Sequence, residues 1–150
     1  MTSLFLKVWH AIVYSVVIIK YTVTPAMRTS AKKTVLIVDD EEELCMLMEM
    51  VLERQHFLPR SLHNLQEAMG VIEQLKPDYI FLDNHLPDGK GVNAIKRMIE
   101  LYPNVKIVMM TAYNDKLINE TAIQEGASYF LHKPFNRNNI ENINASYPTV

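Results

Sequence analysis

Three apolar runs of strand length each end on ionisable residues: VLIV runs into Asp39 and Asp40, YIFL into Asp83, and YFLH into Lys133 with Pro134 behind it. An apolar run without alternation is how a strand reads when both faces of its sheet are covered, which is the habit of parallel sheets. In open sheets of that kind the functional side chains gather outside the carboxyl ends of the strands. The chain is thereby constrained to an α/β layer fold whose acidic and basic strand ends share one edge.

From residue 34 onward, strand-like and helix-like segments alternate, the pattern of parallel strands joined by crossover helices. Strands are expected at 34–38, 57–61, 79–82, 106–110 and 128–131, and helices at 42–55, 64–75, 92–101, 115–124 and 136–143. The first helix places Leu44, Leu47, Met48, Val51 and Leu52 on one face. Cys45 and the neighbouring methionines are read as packing residues, and Glu41 to Glu43 as charges favourable near the amino end. Pro59 suits only an edge strand, which is where the flavodoxin-like order puts the second strand. Asn64 is expected to cap a helix, Lys76-Pro77-Asp78 to turn the chain, and Gly126 to stop a helix. The asparagine-rich last helix should be the weakest element.

With 150 residues, 49% of them apolar, the chain can bury one ordinary core. A net charge of −2 supplies no field for nucleic acid, so no direct nucleic-acid binding is expected. The single Cys45 excludes an internal disulfide and a multi-thiolate metal site and suits a reducing, cytoplasmic compartment. His10, His56, His63 and His132 lack metal-ligand spacing, and no zinc site is expected.

Residues 4 to 23, LFLKVWHAIVYSVVIIKYTV, differ in kind from the rest. Their uncharged stretch, Val8 to Ile19, falls short of the roughly 20 residues that span a bilayer unless Lys7 and Lys20 snorkel to opposite interfaces. Three readings stay open: a non-native leader ahead of a start at Met27, a membrane anchor, or a packed or partner-binding segment. If the segment inserts, Arg28, Lys32 and Lys33 hold the following domain on the cytoplasmic side. The expected division is an extension over 1–26, a linker over 27–33, a domain over 34–144 and a tail over 145–150.

Bringing Asp39, Asp40 and Asp83 to one edge is electrostatically costly, because like carboxylates disfavour joint ionisation. A cation must sit among them. Hard oxygen ligands with an open coordination position suit Mg²⁺ completed by water and a phosphate oxygen, and Lys133 adds a fixed positive charge. A carboxylate so placed can attack a phosphoryl group in line and hold it as an acyl phosphate, and Asp83, single and central, is the candidate nucleophile. The Thr111 hydroxyl and the Ala112 backbone N–H are candidate donors to phosphoryl oxygens. Each residue alone has a blander reading, such as a helix cap, a strand-end hydroxyl or a solvated lysine; jointly, such accidents at four strand ends are improbable.

Over residues 33–143, VLIVDDEEE, YIFLDNHLPDGKG, VMMTAY and ASYFLHKPF resemble, in order and spacing, the response-regulator receiver domains of two-component signalling. The resemblance implies a flavodoxin-like, doubly wound five-stranded parallel sheet of order 2-1-3-4-5, with helices on both faces. It implies that Asp83 is phosphorylated by a sensor histidine kinase or a histidine phosphotransfer protein. It further implies Mg²⁺ held by Asp40, Asp83 and the backbone carbonyl of His85, with Asp39 acting through water. Thr111 and Lys133 would contact the phosphoryl group, and Pro134 would follow the lysine through a cis bond. The family's switch aromatic falls on Phe130 rather than a tyrosine, which removes the outward hydroxyl bond. Gly89 and Lys90 depart from the usual loop, and His85 and Tyr113 stand where the family tunes dephosphorylation, a bulky pair expected to shield the acyl phosphate.

An aspartate-nucleophile phosphatase needs an acid/base carboxylate two residues past its nucleophile, and His85 stands there. A nucleotide- or flavin-binding protein needs a glycine-rich loop after the first strand, and Asp39-Asp40-Glu41-Glu42 stands there. The reading is therefore a phosphoacceptor module rather than an enzyme, with a stand-alone phosphorelay intermediate or a pseudo-receiver for protein binding as alternatives. Its expected partners are the phosphodonor, a downstream effector or a missing output domain, and a second copy in a phosphorylation-dependent dimer.

Overall fold

The structure is a computed structural model that describes residues 32–112 and 116–146, with Ala112 and residues 143–146 described by their backbone. The expectations for residues 1–26 and for Tyr113 lie outside the described residues, as do most of the proposed linker and part of the tail.

Five strands form the sheet: β1 (Thr34–Val38), β2 (Leu58–Leu62), β3 (Tyr79–Asp83), β4 (Lys106–Ala112) and β5 (Tyr129–Lys133). They lie in the order β2-β1-β3-β4-β5, and every pairing is parallel. Among the described residues five α-helices cross between and after them: α1 (Glu42–Arg54), α2 (Leu65–Leu75), α3 (Ile95–Leu101), α4 (Lys116–Glu125) and α5 (Arg137–Ser146). This is the expected flavodoxin-like architecture, with Pro59 on the edge strand, where its missing N–H interrupts no interior ladder.

The unbroken apolar runs follow from burial on both faces. Leu36, Val38, Ile80, Leu82, Ile107 and Met109 pack with Ala68, Ile72, Ile95, Met98 and Ala122 of α2, α3 and α4. The alternate residues Val35, Ile37, Phe81, Val108, Met110 and Leu131 pack with Cys45, Met48, Val51 and Leu52 of α1 and Ile140 of α5. Each of the valine, leucine, isoleucine, phenylalanine and methionine side chains contributes roughly 1.5–3 kcal/mol on burial, so a one-residue slip of any central strand would exchange two matched cores.

The local stops are where the residue chemistry demands them. Asn64 accepts from the Glu67 N–H at 2.8 Å and donates to the Glu67 carboxylate at 2.9 Å, closing the first turn of α2. Gly126, at φ +105°, ends α4 as the Ala127 N–H turns back to the Ala122 carbonyl at 2.8 Å. Asp78 joins β1 to β3 at their entrances, since its carboxylate accepts from the Thr34 N–H at 2.8 Å.

Several expectations are corrected. The inner face of α1 is Cys45, Met48, Val51 and Leu52; Leu47 lies outside it, and Met46 and Met50 point to solvent, 67% and 48% exposed. Leu44 is half-buried, because the helix turns its Cys45 side to the sheet. The helix expected from residue 92 opens as a 3₁₀ turn, Gly91–Ala94, before α3. Strands β4 and β5 run on to Ala112 and Lys133, so the functional residues close their strands rather than follow them. The last helix extends to Ser146 despite its composition.

Candidate functional site

The strand order reverses beside β1, which leaves a crevice at the carboxyl ends of β1 and β3. Asp39 sits there with no exposed surface, its backbone N–H donating to the Leu62 carbonyl at 3.1 Å. Its own carbonyl accepts from the Cys45 thiol at 3.3 Å and lies 3.0 Å from His63 Nδ1. These contacts fix the backbone, so the carboxylate is aimed rather than free: Oδ1 accepts from the Glu41 N–H at 2.9 Å and Oδ2 from Lys133 Nζ at 2.8 Å. Asp83, 4% exposed, holds the same ammonium through Oδ1 at 2.8 Å and accepts from the His85 N–H through Oδ2. Lys133 reaches Glu41 Oε1 at 2.8 Å as well.

One ammonium thus faces three carboxylates. Burial raises the pKa of Asp39, while Lys133 pulls it back down. Burial opposes the Lys133 charge, yet its hydrogen bonds with Asp39, Asp83 and Glu41 outweigh that and hold its pKa above the ordinary lysine value. Burial also lifts the Cys45 thiol to about 11, so Cys45 is a packing residue and not a nucleophile. Asp40 is exposed at the rim. The surplus of hard oxygen over positive charge fits a divalent cation. Among the described residues no three His, Cys, Asp or Glu side chains close on a metal by themselves, so backbone and solvent oxygens would have to complete its shell.

The loop after Asp83 is more ordered than its Gly89-Lys90 sequence suggests. His85–Leu86 and Gly89–Lys90 pair as a two-residue antiparallel ribbon. Gly91 has no room for a side chain, because a Cβ there would meet the Asp83 carbonyl oxygen at 2.1 Å. Buried Asn84 accepts from the Val92 N–H through Oδ1 at 3.2 Å. Asp88 accepts from the Leu65 and Gln66 N–H groups at 2.9 Å, tying the loop to the amino end of α2. The Lys133–Pro134 bond is cis, as expected.

Thr111 lies at the end of β4, turned toward α4 and β5. Its buried hydroxyl donates to Asn119 Oδ1 of α4 at 3.3 Å and stands 3.4 Å from Nδ1 of His132, its cross-strand neighbour. Phe130 is half-buried and stacks on His132 with ring centroids 6.4 Å apart. Glu41, Asp88, Asn119 and His132 were not singled out as site residues by the sequence reading. Asp88 had a legible signal in its Pro-Asp-Gly turn; Asn119 had none.

The family model for the response regulator receiver domain matches residues 35–144. The chain is 33% identical over 104 residues to the chemotaxis protein CheY of Thermotoga maritima, covering 69% of this chain and 87% of that protein. It is also 33% identical over 104 residues to the response regulator protein PilR of Pseudomonas aeruginosa, where the match spans 23% of the relative. Against the DNA-binding transcriptional regulator NtrC of Proteus hauseri, 30% identical, it spans 22%. Among solved structures, a Burkholderia pseudomallei response regulator carrying a phosphorylated aspartic acid, a calcium ion and citrate is similar at a TM-score of 0.69 and 30% identity, covering 77% of this chain and 69% of that one. This chain, with its parallel sheet and its acidic crevice closed by Lys133, belongs to the response regulator receiver domain family.

Proposed function

We propose that Asp83 is the phosphoacceptor of this receiver domain. The observation that carries the reading is Lys133 Nζ standing 2.8 Å from both Asp39 Oδ2 and Asp83 Oδ1, a cation joining two nearly buried carboxylates at a sheet edge. An Asp83 oxygen bonds to the phosphorus of a phosphohistidine or acyl phosphate as the donor's P–N or P–O bond breaks, and the leaving group departs on the opposite side. Lys133 offsets the charge added to Asp83. The Thr111 hydroxyl, once turned toward them, and the Ala112 backbone N–H donate to phosphoryl oxygens.

Asp40, Asp83 and the His85 carbonyl would hold Mg²⁺, with Asp39 reaching it through water. The cation, when bound, lets the carboxylates and the incoming phosphoryl group share one site. The Burkholderia structure, which contains both a phosphorylated aspartic acid and a calcium ion, supports a divalent site of this kind. A sensor histidine kinase or phosphotransfer protein supplies the phosphoryl group, and an effector or an output domain reads it, as the greater length of NtrC and PilR suggests. The beryllofluoride-activated NtrC4 receiver dimer supports a phosphorylation-dependent homodimer. Catalysis is limited to gaining and losing the Asp83 phosphoryl group, and a cytoplasmic setting fits that chemistry. Among the described residues no helix is long and apolar enough to cross a membrane.

Incubation with Mg²⁺ and acetyl phosphate, followed by intact mass, tests the reading. One phosphoryl group should add to the wild type and none to Asp83→Asn. No gain in the wild type, or an equal gain in the variant, overturns it.

A further inference from the structure

The Thr111 hydroxyl has one proton. In the structure that proton is directed to Asn119 Oδ1 at 3.3 Å, and the oxygen lies 3.4 Å from His132 Nδ1. A hydroxyl that donates to the amide oxygen can only accept from the imidazole, so the Nδ1–H form of His132 completes a chain from β5 through β4 to α4. Asp83 draws instead on Lys133 and the His85 N–H, and among the described residues its carboxylate makes no hydrogen bond with Thr111. The donor that the acyl phosphate would need is therefore engaged elsewhere. Both partners are particular placements: His132 is the direct cross-strand neighbour of Thr111, and half-buried Asn119 is one turn into α4.

We propose that Asn119 is a positioning residue that holds the Thr111 hydroxyl off the phosphoacceptor, so that a phosphoryl oxygen must win the hydroxyl's hydrogen bond from Asn119 Oδ1. The inference rests on the reading of Asp83 as phosphoacceptor and adds a competitor for the group that reports phosphorylation. One proton cannot serve two acceptors fully, so the Asn119 bond biases the unphosphorylated protein toward its resting arrangement. Its removal favours the phosphoryl-bound arrangement by the worth of one net hydrogen bond. His132, donating to the hydroxyl oxygen, remains compatible with both arrangements.

The test is the apparent affinity of the full chain for beryllofluoride with Mg²⁺, read by backbone-amide NMR in four backgrounds: wild type, Asn119→Ala, Thr111→Ala and the double variant. Asn119→Ala should tighten binding by about two- to tenfold, and the same change in Thr111→Ala should leave affinity unmoved, which a merely structural role for Asn119 would not produce. Unchanged or weaker binding by Asn119→Ala, or equal tightening with and without Thr111, overturns the proposal. If Asn119→Ala loses its native far-UV signal, Asn119→Leu is judged by the same criteria, since leucine fills a half-buried helical position. A wild type that takes up no beryllofluoride refutes the Asp83 reading itself, and this inference with it; saturable wild-type binding abolished by Asp83→Asn isolates the question to Asn119.

Discussion

Lys133→Met keeps an unbranched side chain of similar length and removes the ammonium. Nζ lies 2.8 Å from Asp39 Oδ2, Asp83 Oδ1 and Glu41 Oε1, but the three contacts are unequal. The Glu41 side chain is 64% exposed, so that pair sits in water and is worth at most about 1 kcal/mol. The Asp39 and Asp83 side chains are 0% and 6% exposed, and removing one partner of a buried pair costs roughly 3–5 kcal/mol because a charge is stranded. Since 23% of the Lys133 side chain reaches solvent, water can enter the vacated place, and the lower end, about 3 kcal/mol at pH 7, is expected. With a urea slope of roughly 1.5 kcal/mol per molar, the midpoint followed by far-UV circular dichroism should fall by about 2 M.

The pH dependence of that loss has a definite sign. Burial already lifts the Asp39 pKa while Lys133 restrains it, so the variant lifts it further. A carboxyl whose folded pKa exceeds its unfolded value binds more protons when folded, and the folded state gains as pH falls through that raised value. The deficit of Lys133→Met should therefore shrink as pH falls from 7 through that raised value. A deficit under about 1 kcal/mol at pH 7, the worth of a surface pair, or one that does not shrink as pH is lowered, would refute the assignment of Lys133 as the charge that makes this edge foldable.

Two glycines should respond oppositely to alanine. Gly91→Ala sets a Cβ 2.1 Å from the Asp83 carbonyl oxygen and 3.0 Å from Leu82 Cγ, so urea unfolding should show a loss of about 2–3 kcal/mol, with phosphorylation by acetyl phosphate impaired. Gly70→Ala meets nothing within 4 Å inside α2 and should gain about 0.5–1 kcal/mol. Asp88→Ala removes both acceptors at the start of α2, for about 0.5–1 kcal/mol at pH 7 and faster hydrogen exchange at Leu65 and Gln66. The Leu65 N–H is the main cause holding the Asp88 pKa below its ordinary value of 3.8. This contribution is accordingly present above pH 3.8 and fades as pH falls through the depressed value, where wild type and variant converge.

The parallel sheet was legible because burial on both faces leaves unbroken apolar runs, and the acidic edge because those runs end on Asp39 and Asp83. Pro59, Asn64 and Gly126 were legible for a stronger reason, since each permits few backbone roles. The helix faces were less so. Leu44, Cys45, Leu47 and Met48 are all apolar, so hydropathy alone does not set the rotation of α1, and packing against β1 and β3 chose Cys45 over Leu47. Glu41 was read as a charge for the helix terminus, but its side chain reaches Lys133, a residue that no local pattern could bring to it. Asn119 was illegible because a half-buried asparagine in a helix has no periodic signature; its meaning comes from the hydroxyl of Thr111 across the layer.

That placement bears on how phosphorylation can be felt beyond Asp83. In the β4–β5 ladder Ala112 pairs with Lys133 and Thr111 with His132, while Asp83 pairs with Met110 across β3 and β4. Lys133 and the Thr111 hydroxyl therefore stand on adjacent rungs of one hydrogen-bonded sheet, and its close-packed backbone has little freedom to stretch. On the proposed reading, the signal would leave by side-chain exchange: a hydroxyl that changes acceptor, a half-buried Phe130 stacked on His132, and a helix that gains or loses a partner at Asn119. Because Phe130 carries no hydroxyl, packing would set its position, and the polar part of the proposed switch would fall to Thr111 and the residues that compete for its proton.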